Sequence, residues 1–194
     1  MARFDFDAAL RWARFDPRHA PARREDAELP FVDAQTRADG TLLLDTNVYI
    51  DTLQDRLPDL VENLVTGGYT NHSTVAIQEL MHTVGVLNPD HPGMPKVISQ
   101  IGLLIRSMPP HRLFAPDAET LGRAALLAGM LCRLQGYAKD ERLRAQHDCV
   151  LFLQAQRLGF TVLTRNVRDF DYLLQLFPAG RVLMYREAGS LTSP

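Results

Sequence analysis

The chain has 194 residues, of which 46% are hydrophobic and 23% charged, and a formal net charge of −2. That length holds one ordinary domain with an extension, and the composition excludes a disordered or membrane-embedded chain. The charge gives no global signal for nucleic acid, so any such role has to come from a local basic patch beside other chemistry. The two cysteines, Cys132 and Cys149, lack the spacing of a zinc site or a disulfide scaffold and read as buried thiols.

The first forty residues stand apart. Phe4, Phe6, Leu10 and Trp12 fit one short amphipathic helix, and a polar Pro/Arg/Ala stretch follows. This segment is expected to lie on the surface of the core or of a partner. The start has no apolar secretory region and no run reaches membrane-spanning length, so the expected location is cytoplasmic, without a membrane.

From residue 41 strands and helices alternate. Thr41–Asp45 (TLLLD) reads as a buried parallel strand ending in an acid. Helices are expected over Val48–Gln54 and after Pro58, and a brief strand at Tyr69–Asn71 follows the Gly67–Gly68 break. Ser73 is an N-cap for the helix TVAIQELMHTVGV. An apolar helix, KVISQIGLLIRSM, precedes a third strand expected at His111–Phe114. Asp117 caps a long helix that Gly136 ends, and a further helix runs from Asp140 to Leu158 before Gly159. A strand (TVLT), a turn (RNVRD), a helix (FDYLLQLF) and a last strand (RVLMY) complete the pattern. The alternation predicts an α/β fold of three layers, α/β/α, around a central, mostly parallel sheet. The expected organisation is an N-terminal extension over 1–40, a domain over 41–188 and a tail over 189–194.

Several acids fall where acids are awkward. Asp45 closes an apolar strand, with Thr46 and Asn47 beside it; alone it also fits a loop acid or helix cap. Glu79 lies on the shoulder of an apolar helix stripe. Asp148 shares a helix row with Leu151, Phe152 and Ala155, where a carboxylate is costly without a partner or a cation; the alternative is an acid favoured by the helix dipole. Thr164, Asn166 and Asp169 crowd the end of another strand, where turn chemistry also accounts for them. Taken together, two strand ends and two helix faces bring oxygen groups to one edge of one sheet. Clustered carboxylates repel unless a divalent cation offsets them, and an all-oxygen set favours Mg²⁺ or Mn²⁺ over zinc.

Three segments, LLLDTNVYID, STVAIQEL and HDCVLFLQAQRLGFTVLTRNVRDFD, resemble in order the signature blocks of PIN-domain ribonucleases, especially the VapC toxins of VapBC toxin–antitoxin pairs. The resemblance spans about residues 41 to 185. It implies a PIN-like fold, metal-dependent hydrolysis of RNA, and Asp45, Glu79 and Asp148 as the metal-binding catalytic acids. Thr46, Asn47 and Thr164 match supporting polar positions. Asn166 stands where many members carry a fourth acid, and Asp169 matches the acid of the D-F pair, acting catalytically in its place or structurally. Compensating positive groups are expected from Arg165, Arg168, Arg144 and His147 as an RNA-contacting rim, with Arg165 foremost; Tyr49 fits either a base stack or the core. Implied partners are RNA, a small antitoxin and a second copy of the chain in a homodimer. The alternatives are a PIN-fold RNA-processing nuclease without antitoxin and a non-catalytic PIN-fold binding protein. An extension that covers the antitoxin surface would restrain activity.

Overall fold

A computed structural model describes residues 4–13, 18–36 and 41–188; the expected tail over 189–194 lies outside them. Five parallel strands form one sheet in the order β3-β2-β1-β4-β5. These are β1 (Leu42–Leu44), β2 (Thr70–Ser73), β3 (Leu113–Phe114), β4 (Thr161–Thr164) and β5 (Val182–Met184). The sheet is parallel throughout, because a helical crossover joins each strand to the next.

Side-chain alternation along the strands builds two cores. Leu43, Val162 and Met184 face a layer containing Phe152 and Phe170. Leu42, Leu44 and Leu163 face the opposite way, toward Val48, Leu80 and Ile101. The second layer comprises α2 (Thr46–Leu53), α3 (Asp59–Gly67), α4 (Thr74–Val86) and α5 (Met94–Ser107). The first comprises α6 (Ala118–Gln135), α7 (Glu141–Leu158) and α8 (Val167–Leu176), with α1 (Phe6–Trp12) against α6. The result is the expected α/β/α arrangement.

Local chemistry explains most boundaries. The side chains of Ser73 and Asp117 accept from the backbone N–H groups of Val75 and Thr120, capping α4 and α6. Gly159 ends α7 at φ 73°, a left-handed conformation suited to glycine. Two expectations shift. Strand β2 runs to Ser73 rather than Asn71, since the cap residue is also the last strand residue. The stretch RNVRD is not a free turn. The Asn166 side chain accepts from the Asp169 N–H and starts α8 at Val167, three residues earlier than expected. Cys149 is buried as expected, whereas Cys132 is only partly so, because it faces a shallow groove between α6 and α7.

The described part of the N-terminal segment lies against the β5 edge. Met184 donates its N–H to the Pro30 carbonyl and accepts from Val32 N–H, both at 2.8 Å, so Pro30–Val32 covers that edge like a further parallel strand. Arg24 grips the buried carboxylate of Asp171 on α8 through its N–H at 2.8 Å and its Nε at 2.6 Å. Burial pushes Asp171 up, but these donors, with Gln175, outweigh it and hold the carboxyl below its usual range. Trp12 packs on Phe177, and Arg123 stacks over Trp12.

Candidate active site

Strands β1 and β4 are neighbours, yet the chain leaves them in opposite directions across the sheet, toward β2 and toward β5. The carboxyl ends of such a pair diverge and open a crevice, the usual ligand site of doubly wound sheets. Asp45 follows β1 and Thr164 ends β4. A cleft of about 640 Å³ opens there between α4 and α7, lined by Asp45, Glu79, Asp148, Asn166 and Arg144 among others.

Asp45 is buried and held by neutral donors. Thr164 Oγ1 donates to its Oδ2 at 2.5 Å, Thr46 N–H donates to its Oδ1 at 2.6 Å, and the Asn47 amide donates to Oδ2. Asn47 in turn accepts the Arg165 N–H at 3.0 Å, which ties the β4 end to α2. The Thr46 hydroxyl donates to Glu79, so one short sequence, Asp45-Thr46-Asn47, orients two acids. Burial, with the charge of Glu79 adding, pushes the Asp45 carboxyl up to about 6 against the pull of these donors.

Asp148 lies two turns into α7, not at its terminus, so the helix dipole does not account for it. It is 9% exposed, and its Oδ2 accepts from the Asn166 amide at 2.9 Å. Burial raises its pKa well above the usual value, and the charges of Asp45, Asp169 and Glu79 push the same way. Glu79 sits at the rim and contacts His147 Nδ1 at 2.8 Å.

Asp169 is not on the cleft wall. It is 5% exposed and is used up by the Tyr137 hydroxyl, Arg168 Nε at 3.0 Å and the Asn166 amide at 3.0 Å. Asn166 thus bridges Asp148 and Asp169, with the amide toward the cleft and the fourth carboxylate behind it. The positive rim is likewise reduced. Arg144 and His147 line the cleft. Arg165 borders it, but its guanidinium pairs with buried Asp51 at 3.1 Å and with Glu187. Arg168 turns away, pairing with Glu141 and Asp169 and stacking over Tyr137. Both departures have one cause: each arginine helps neutralise a buried carboxylate, Asp51 (shared with Arg56 at 3.2 Å) and Asp169. Tyr49 is core, its hydroxyl at 2.8 Å from His72 Nδ1.

Reading the sequence missed Ile50, Gln78, His82, Thr83, Asp140 and Leu143 as cleft residues. Helical spacing carried a signal for some of them. Leu143, Arg144, His147 and Asp148 form one stripe of α7, just past its N-cap Asp140, and Gln78, Glu79, His82 and Thr83 one stripe of α4.

Among the described residues no three acidic, histidine or cysteine side chains stand close enough to enclose an ion as they are. The donor set nevertheless fits a hard divalent cation: three carboxylates share one cleft, and burial first, with repulsion from neighbouring acids second, raises the pKa of Asp45 and Asp148. A cation there would offset that repulsion.

Neither a protein-family model nor a curated protein matches the sequence. Solved structures do match. A chain of VapBC2 from Rickettsia felis, bound to a DNA fragment from its promoter, is 14% identical with a TM-score of 0.50; the match covers 75% of this chain and 98% of that one. A chain of the DNA-bound VapBC from Salmonella typhimurium is 19% identical with a TM-score of 0.51, covering 73% and 96%. A chain of FitAcB from Neisseria gonorrhoeae is 19% identical with a TM-score of 0.50, covering 74% and 96%. The likeness establishes the fold. The chain has the PIN-type α/β/α architecture, shared with chains of the VapBC and FitAcB structures.

Proposed function

We propose that this protein is a metal-dependent ribonuclease, the toxin of a VapBC-type pair. The carrying observation is the meeting of Asp45, Glu79 and Asp148 in one cleft at the divergence of β1 and β4. Acids that burial and repulsion disfavour as ions are retained where they serve a cation. Asp45, Glu79 and Asp148 would hold Mg²⁺ or Mn²⁺, which when bound lowers the pKa of a water and stabilises phosphate charge.

The chain's own groups supply orientation and exclusion. Thr46, Asn47 and Thr164 fix the Asp45 carboxylate, so its geometry is set before substrate arrives. Arg144, with no acid partner among the described residues, stands on α7 four residues before Asp148 and contacts the RNA phosphate beside the acids. Ile50 and Leu143 give the cleft apolar walls for a base. Arg165 acts structurally through Asp51, and Asp169 anchors Asn166 rather than serving as a ligand.

No helix among the described residues is long and apolar enough to cross a membrane. The toxin reading places the protein in the cytoplasm, restrained by a small antitoxin and paired as a homodimer. A PIN-fold nuclease without antitoxin would share this site. A non-catalytic binding protein is favoured only by Asn166 in the fourth position. Induced expression in a bacterial host separates these readings. The toxin reading expects growth arrest with the wild type and none with Asp148→Asn; normal growth with soluble wild-type protein would remove it.

A further inference from the structure

One polar chain lies in the core where nothing in the proposed chemistry requires it. Ser73 and Gln154 are buried, at 0% and 2% exposure. The Ser73 hydroxyl donates to Gln154 Oε1 at 2.6 Å while its oxygen accepts the Val75 N–H at 3.1 Å. The Gln154 amide donates to the Phe114 carbonyl of β3 at 3.0 Å. One side chain of α7 is thereby bonded to the cap of α4 and to the sheet edge.

The two helices are tied a second time at the cleft, where His147 Nδ1 on α7 meets Glu79 Oε1 on α4 at 2.8 Å. Glu79 lies six residues after Ser73, and Asp148 six residues before Gln154. Each spacing is a rise of about 9 Å along its helix. From the Ser73–Gln154 contact, α4 ascends to Glu79 by the same length that α7 descends to Asp148. The buried apolar contacts on either side are non-directional. A directional hydrogen bond does not tolerate a slide of one helix along the other.

From this we infer that Gln154 is a positioning residue: bonded to Ser73 and the Phe114 carbonyl, it sets the register of α7 against α4 and so brings Glu79 and Asp148 to a common ion. The inference rests on the reading of those two acids as metal-binding.

The test uses the full-length chain as wild type, Gln154→Leu and the pair Ser73→Ala/Gln154→Leu. Mn²⁺ alone is titrated calorimetrically, thermal stability is measured, and the His147 ring resonances are recorded in EDTA beside those of Glu79→Gln. Gln154→Leu lowers Tm and weakens Mn²⁺ binding about tenfold or more, as supporting-residue changes do at metal sites. Its His147 resonances move toward those of Glu79→Gln. The double variant recovers neither the Mn²⁺ affinity nor the His147 signature, and its Tm stays low, because the Val75 N–H loses its cap and the Phe114 carbonyl its donor. The Mn²⁺ affinity and the His147 signature, not the Tm, report the register. Wild-type Mn²⁺ affinity with unmoved His147 resonances, in either folded variant, overturns the inference. If the wild type binds no Mn²⁺, the metal reading fails by itself. The His147 resonances then decide the relay: moved they support it, unmoved they overturn it.

Discussion

Acidification should stabilise the metal-free protein, against the usual behaviour of folded domains. Asp45 has its carboxyl raised from 3.8 to about 6, by burial first and then by Glu79. A raised acid binds its proton more tightly when folded than unfolded, so folding stability grows as pH falls from above 6 toward 4. The full interval is worth roughly 3 kcal/mol, of which about 1.4 kcal/mol returns between about pH 7.5 and about pH 5. For a chain of this size that is about 3–6 °C in Tm. Asp148 is raised in the same direction and adds to the gain. His72 works the opposite way, because burial lowers its pKa and it loses stability as pH drops below its ordinary range. Comparison with Asp148→Asn cancels that term, since His72 is common to both proteins. The assay is thermal unfolding in EDTA at the two pH values, for both proteins, with a repeat in Mn²⁺. The wild type should gain more than Asp148→Asn on acidification, by the contribution of Asp148 alone, since Asp45 like His72 is common to both, and Mn²⁺ should stabilise it most at the higher pH. Parallel pH profiles for the two proteins would refute the electrostatic account of the cleft.

Removal of residues 1–36 should lower Tm and leave activity unraised, because the described part of that segment lies on β5 and α8 and none of it lines the cleft; a more active truncated protein would restore a restraining role. Arg24→Ala should cost about 2 kcal/mol by chemical unfolding, since it strips the charged Nε donor from a buried carboxylate, and an effect under about 0.5 kcal/mol would show that Asp171 is otherwise satisfied. Asn166→Asp adds an acid beside Asp148 and Asp169. Metal-free stability should fall and calorimetric Mn²⁺ affinity rise, and weaker binding would contradict the placement of Asn166 on the ion-facing side.

The layered fold was legible because each element carried a local signal. Leu42–Leu44 is a continuous apolar run, Ser73 and Asp117 are caps, and Gly136 and Gly159 stop their helices. The strand-end and helix-face acids were equally visible, since Asp148 interrupts an otherwise apolar row. What stayed hidden depends on partners distant in sequence. Nothing near Arg165 announces that Asp51, far back in the chain on α2, is buried and pairs with it. Nothing near Asp169 announces Tyr137. The N-terminal segment read as a polar linker because its anchoring acid, Asp171, lies 147 residues away. Short-range patterns report which residues are buried, whereas the pairing of buried charges is a tertiary property. Asn166 is intermediate: its turn chemistry was readable, but its bridge between two acids was not.

The most direct test is cleavage of total bacterial RNA by the purified, partner-free protein. The account predicts cutting with Mg²⁺ or Mn²⁺ that EDTA abolishes and that Asp148→Asn lacks. Intact RNA with folded wild-type protein, or equal cutting by wild type and Asp148→Asn, would contradict it.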